Sequence, residues 1–112
     1  MLINILVYFI VIKVTLFVTI LVMNSLDQDA CPGGLELCLR ALWYDAKGEW
    51  DAAHEIVQQV DDVTAARIHA YVHHKEGDDW NARYWYGRAG SVFPEKMSLK
   101  EEWNSLLREM LG

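Results

Sequence analysis

Two stretches of this chain superimpose without a gap at an offset of 29 residues, and that self-similarity constrains the fold more than any other feature. Ala41 falls on Ala70, Gly48 on Gly77, Glu49 on Asp78, Ala53 on Ala82 and Val57 on Tyr86. A repeat of this length, with a glycine between two apolar patterns of helical spacing, is a helical hairpin that cannot bury its apolar face alone and must stack on a neighbour. The fold class that follows is all-α, with tandem hairpins at 35–60 and 63–90 and a capping helix at 98–111. A scaffold of this kind builds a surface rather than a reaction centre.

The apolar spacing supports each element. Leu35, Cys38, Leu39, Leu42 and Ala46 recur at helical intervals up to Lys47, and Gly48 ends that helix. Trp50, Ala53, Val57 and Val60 give a second helix, broken by Asp61 and Asp62. Val63, Ala66, Ala70 and His73, then Gly77, then Ala82, Trp85, Tyr86 and Ala89 repeat the plan, with Gly90 and Pro94 closing it. Ser98 and Glu101 have capping-box spacing, in which hydroxyl and carboxylate each satisfy an orphan amide. They introduce a last helix whose Leu99, Trp103, Leu106, Leu107, Met110 and Leu111 form one stripe. That helix is expected to cover the apolar end which two repeats alone leave open.

Residues 1–23 are of another kind. Leu2 to Met23 contains sixteen Leu, Ile, Val or Phe residues and one charge, Lys13. Those apolar residues favour insertion by roughly 5–10 kcal/mol against a cost of about 3 for a central lysine, so a membrane helix over residues 2–23 is expected. Nothing basic precedes Lys13, which speaks for an uncleaved N-terminal anchor over a signal peptide. If translation starts at Met23 instead, the same domain is cytoplasmic and soluble. Residues 24–34, with Asn, Ser, Asp, Pro and Gly, read as a linker to a domain at 35–112.

Charge and cysteine content narrow the function classes. Ten Lys or Arg against sixteen Asp or Glu give a net charge of −6, which repels phosphates and excludes nucleic acid as an expected partner. Five Trp and five Tyr serve a core too small to be stabilised by aliphatic area alone. On one helix Cys31 and Cys38 would stand about 10.5 Å apart, too far for a disulfide, although Pro32-Gly33-Gly34 can hold Cys31 off the helix.

Counted from each glycine, the second copy carries Ala82 at plus five, Tyr86 at plus nine, Ala89 at plus twelve and Pro94 at plus seventeen. The first carries Trp50 at plus two, Ala53, Val57 and Val60, with Tyr44 four residues before Gly48. This spacing resembles the tetratricopeptide repeat. The chain departs from that pattern in its shorter period, in lacking a proline after the first copy, and in His73 standing where an aromatic precedes the second glycine. The string from Gly77 to Gly90 is also similar to stretches of small bacterial helical proteins of uncharacterised function, a likeness that brings no activity with it.

The resemblance implies a concave groove for an extended peptide, lined by the first helix of each pair: Cys38, Leu42 and Asp45, then Arg67, Tyr71, His74 and Lys75. Arg67 and Lys75 would grip a carboxylate. Cys38 and Leu42 replace the Lys and Asn of the family's terminal-carboxylate clamp, so that clamp is not expected. A second candidate is a contact patch of Trp80 and Tyr84 flanked by Arg83 and Arg88, with packing beneath the last helix as the alternative. His69 and His73, one turn apart, with Glu76 on the same face and His54 in the preceding hairpin, have metal-ligand spacing. They also fall on the packing seam, where structural histidines with satisfied hydrogen bonds are expected. No catalytic set and no cofactor motif emerges, as Ser25, Ser91, Ser98 and Ser105 lack an elbow motif.

The sequence therefore predicts a non-catalytic protein or peptide interaction module tethered to a membrane. The alternatives are a metal-dependent or otherwise catalytic helical domain using the histidines and Glu76, and a soluble structural protein beginning at Met23.

Overall fold

The computed structural model describes residues 2–111, so the expected segment ends at Met1 and Gly112 lie outside the described residues. Every regular element among the described residues is a helix: α1 Leu2–Ser25, α2 Leu37–Ala46, α3 Trp50–Gln58, α4 Val63–Glu76, α5 Asp79–Arg88 and α6 Leu99–Leu111. α2 pairs with α3 and α4 with α5, and α3 packs on α4 to stack the two hairpins.

The two hairpins turn by the same device. Gly48 and Gly77 adopt left-handed backbone, with φ of 81° and 88°. The following amides, of Glu49 and Asp78, reach back to the carbonyls of Tyr44 and His73 at 2.9 Å each. These are Schellman closures, open to glycine because a Cβ at positive φ is strained. Asp62 caps α4, accepting from the Ala65 amide at 2.7 Å, and Asp78 caps α5, accepting from the Asn81 amide at 3.2 Å, while Glu49 before α3 makes no side-chain cap bond. At α6 only the hydroxyl half of the box forms, with Ser98 Oγ accepting from the Glu101 amide at 3.1 Å. α2 starts later than the apolar pattern suggests, because Gly34 turns at φ 82° and Glu36 then caps the Cys38 amide.

Equivalent residues of the two copies are equivalently buried. Ala41 and Ala70, Ala53 and Ala82, and Val57 and Tyr86 all lie in the interior. The alanines let paired helices approach closely, and the larger residue one turn on fills the space beyond them.

α6 does not close the far end of the stack. It lies across α4 and α2, where Trp103, Leu106 and Leu107 join Cys38, Leu42, Ile68 and Tyr71 in one core. Trp103 Nε1 donates to the Leu42 carbonyl at 3.0 Å. An indole sunk this way stabilises by about 3 kcal/mol, provided its N–H finds an acceptor.

Within the 22 residues Asn4–Ser25 of α1 the most apolar window has a mean hydropathy of 2.7, and the helix is long and apolar enough to cross a membrane. The end of α1 is also held by the domain. Val22 and Ser25 are buried, Ser25 Oγ accepts from Trp43 Nε1 at 3.0 Å, and Lys47 Nζ donates to the carbonyls of Leu26 and Gln28 at 2.8 and 2.7 Å. Higher up the helix, Thr15 Oγ1 donates to the Leu111 carbonyl at 2.9 Å.

Candidate functional site

The expected groove is filled by the chain itself. α2 and α4 do present Cys38, Leu42, Asp45, Arg67, Tyr71, His74 and Lys75 to one side, but α6 occupies that side. Cys38, Leu42, Asp45 and Tyr71 are buried, and burial pushes the Cys38 thiol up to about 12. Arg67 pairs with Glu109, and His74 Nδ1 meets Glu102 Oε2 at 3.0 Å. Lys75 Nζ is 3.1 Å from Asp45 Oδ1. The basic groups meant for a ligand carboxylate are thus spent on carboxylates of the same chain. What remains is a cleft of about 340 Å³ beside Met23, Tyr71, Lys75 and Trp103.

The aromatic patch is open, and the alternative, packing beneath α6, does not occur. Trp80 is 79% exposed and Tyr84 50%. The Arg83 guanidinium lies over the Phe93 ring at 4.1 Å and within 3.3 Å of Glu95, while Arg88 lies over Trp85 at 5.7 Å. α5 packs on α4 through Ala82 and Tyr86, which turns Trp80, Arg83, Tyr84 and Arg88 outward.

The opposite side of α4 from α6 carries the densest chemistry. His69 and His73 point into the seam, one turn apart, and α3 brings His54 against them: His54 Nε2 and His69 Nε2 are 3.0 Å apart. One ring nitrogen from each of the three histidines lies within 4.8 Å of the others. Two indoles close the ends, Trp50 stacking on His54 at 4.8 Å and Trp85 on His69 at 3.9 Å. Trp50 is itself fixed by donating Nε1–H to the Val72 carbonyl at 2.6 Å.

The electrostatics follow from that enclosure. His69 is 4% exposed, and burial, with the neighbouring imidazoles adding to it, lowers its pKa to about 4. Burial, and then His73, lowers His54 in the same direction. Both rings are neutral at pH 7, with nitrogen lone pairs available. The histidines are not satisfied as structural ones would be. His69 Nδ1 and His73 Nδ1 are buried without hydrogen-bond partners. Glu76 Oε2 stands 3.5 Å from His73 Nδ1, close enough for electrostatic attraction but outside hydrogen-bond geometry.

Spacing alone locates His69 and His73. The flanking tryptophans were legible only as core residues, although Trp50 stands one turn before His54. The role of Glu102 was missed, and its signal was a carboxylate three residues after Leu99, inside the apolar stripe.

No protein-family model, curated protein or solved structure matches the chain.

Proposed function

We propose that this chain is a membrane-anchored helical interaction module that docks another polypeptide on the exposed face of α5. The reading is carried by Trp80, a large aromatic left 79% exposed on a helix that packs on α4 through Ala82 and Tyr86. Tyr84 stands one turn on, and Arg83 and Arg88 flank the pair. Aromatic and arginine side chains are the residues that most often dominate binding energy. Here both guanidiniums already rest on rings, so little conformational freedom is lost on docking.

The partner surface is one that offers carboxylates beside an apolar side chain. The Arg83–Glu95 pair is exposed on both sides and contributes little, so Arg83 exchanges partners at small cost. The hairpin stack, tetratricopeptide-like in its spacing, serves as the rigid support for this face. α1 serves as the anchor, and the net charge of −6 disfavours nucleic acid.

A photo-crosslinking side chain at position 80 of the full chain, in its native membranes, tests the reading, with position 100 on α6 as the control. The expected result is a discrete protein adduct from position 80 alone, falling at least tenfold in Arg83→Glu/Arg88→Glu with helicity unchanged. Adducts with lipid only, or equal labelling from position 100, would end the proposal.

A further inference from the structure

We propose that His54, His69 and His73 bind one divalent transition-metal ion, with zinc the first ion to test. Three imidazoles in one pocket are a known donor set for Zn²⁺, which bonds nitrogen at about 2.0–2.1 Å. Tetrahedral coordination at that length places ligand nitrogens about 3.3 Å apart. His54 Nε2 and His69 Nε2 stand at 3.0 Å, and all three donors lie within 4.8 Å of one another. Small side-chain rotations reach the required spacing. The fourth position is left to water or a small anion.

A purely structural cluster accounts poorly for the same atoms. The three rings share a single hydrogen bond among themselves, and two of their buried nitrogens have no hydrogen-bond partner. Buried polar atoms without partners are uncommon, and each costs stability. An ion held by the Nε2 atoms would fix both Nδ1 atoms as N–H donors, with Glu76 in place beside that of His73.

The surroundings suit a ligand set as well. Glu76 beside His73 Nδ1 favours a proton on that nitrogen and directs Nε2 to the ion, as carboxylates commonly do behind metal-bound histidines. Trp50 and Trp85 fix the planes of His54 and His69 and keep bulk water out. His54 is half-buried on the short helix α3 and provides the way in. Asp78, near His73 and Glu76, is committed to the cap of α5 through Asn81, at 3.2 Å to its amide and 2.8 Å to its side chain.

The test is titration of the full, chelator-treated chain in detergent micelles with Zn²⁺, and with Co²⁺ as the spectroscopic probe, at neutral pH. The expected result is one ion per chain, visible Co²⁺ bands of a tetrahedral nitrogen site, and a higher melting temperature. In the unmutated chain, zinc should shift the imidazole NMR resonances of these three histidines and leave that of His74 in place. His54→Gln should weaken binding at least tenfold while keeping the metal-free melt, and Glu76→Gln should weaken it by about tenfold. No retained ion, or an ion held equally by His54→Gln and by a His54→Gln/His73→Gln chain, overturns the proposal.

Discussion

Glu102 joins three helices at one buried carboxylate. Tyr86 donates its hydroxyl from α5, His74 meets the second oxygen from α4, and the residue itself belongs to α6. Burial raises its carboxyl above the ordinary range, with His74 pulling the other way. Its place inside the stripe was legible, but its partners lie 16 and 28 residues away and were not. Periodicity tells which way a side chain faces, not what it faces. His69 carries the clearest pH consequence. Its folded value of about 4 lies below the usual 6.5, so as pH falls through that interval the unfolded chain takes up a proton the fold refuses. Stability is therefore intact above pH 6.5 and declines toward pH 4, by about 3 kcal/mol in full. Urea midpoints of the metal-free chain should drop between pH 7 and pH 4.5, and His69→Gln should flatten that drop.

At the scale of elements, the helices and their ends were largely readable because their causes are local. Gly48 and Gly77 end α2 and α4 with left-handed turns, and Asp62 and Asp78 cap the starts of α4 and α5. The 29-residue offset also foretold which small residues would be buried. Ala82 lies against Ala70 and Tyr86 with no exposed surface. Ala82→Leu should cost about 1–3 kcal/mol by overpacking, and an unchanged thermal melt would count against close packing of α4 on α5. The place of α6 was not readable. Its amphipathic stripe matches the open end of a stack as well as it matches the α2–α4 face. Only the geometry of Trp103 on Leu42, Glu102 on His74 and Glu109 on Arg67 decides between them. The same choice explains why the residues expected to line a groove hold the core together.

For the whole molecule, α1 has two demands to meet. Asn4 to Ser25 would cross about 33 Å, close to the thickness of a hydrocarbon core. While Thr15 holds Leu111, only Leu2 to Val14 project past that contact, about 20 Å of helix. Glu101 and Arg108 line a cleft with Thr19 and Met23, and neither charge belongs in lipid. Full insertion must therefore release Thr15 from Leu111. With Thr15→Cys and Leu111→Cys in the same chain, oxidative crosslinking should be efficient in micelles and several-fold weaker in vesicles. Equal yields would mean that α1 does not insert beyond Val14.

That one bond also sets the domain's freedom of movement. Closed, it holds the helical stack upright along its own stalk. Were insertion of α1 to open it, the bonds of Ser25 to Trp43 and of Leu26 to Lys47 would remain as a pivot about which the tryptophan-bearing flank could swing.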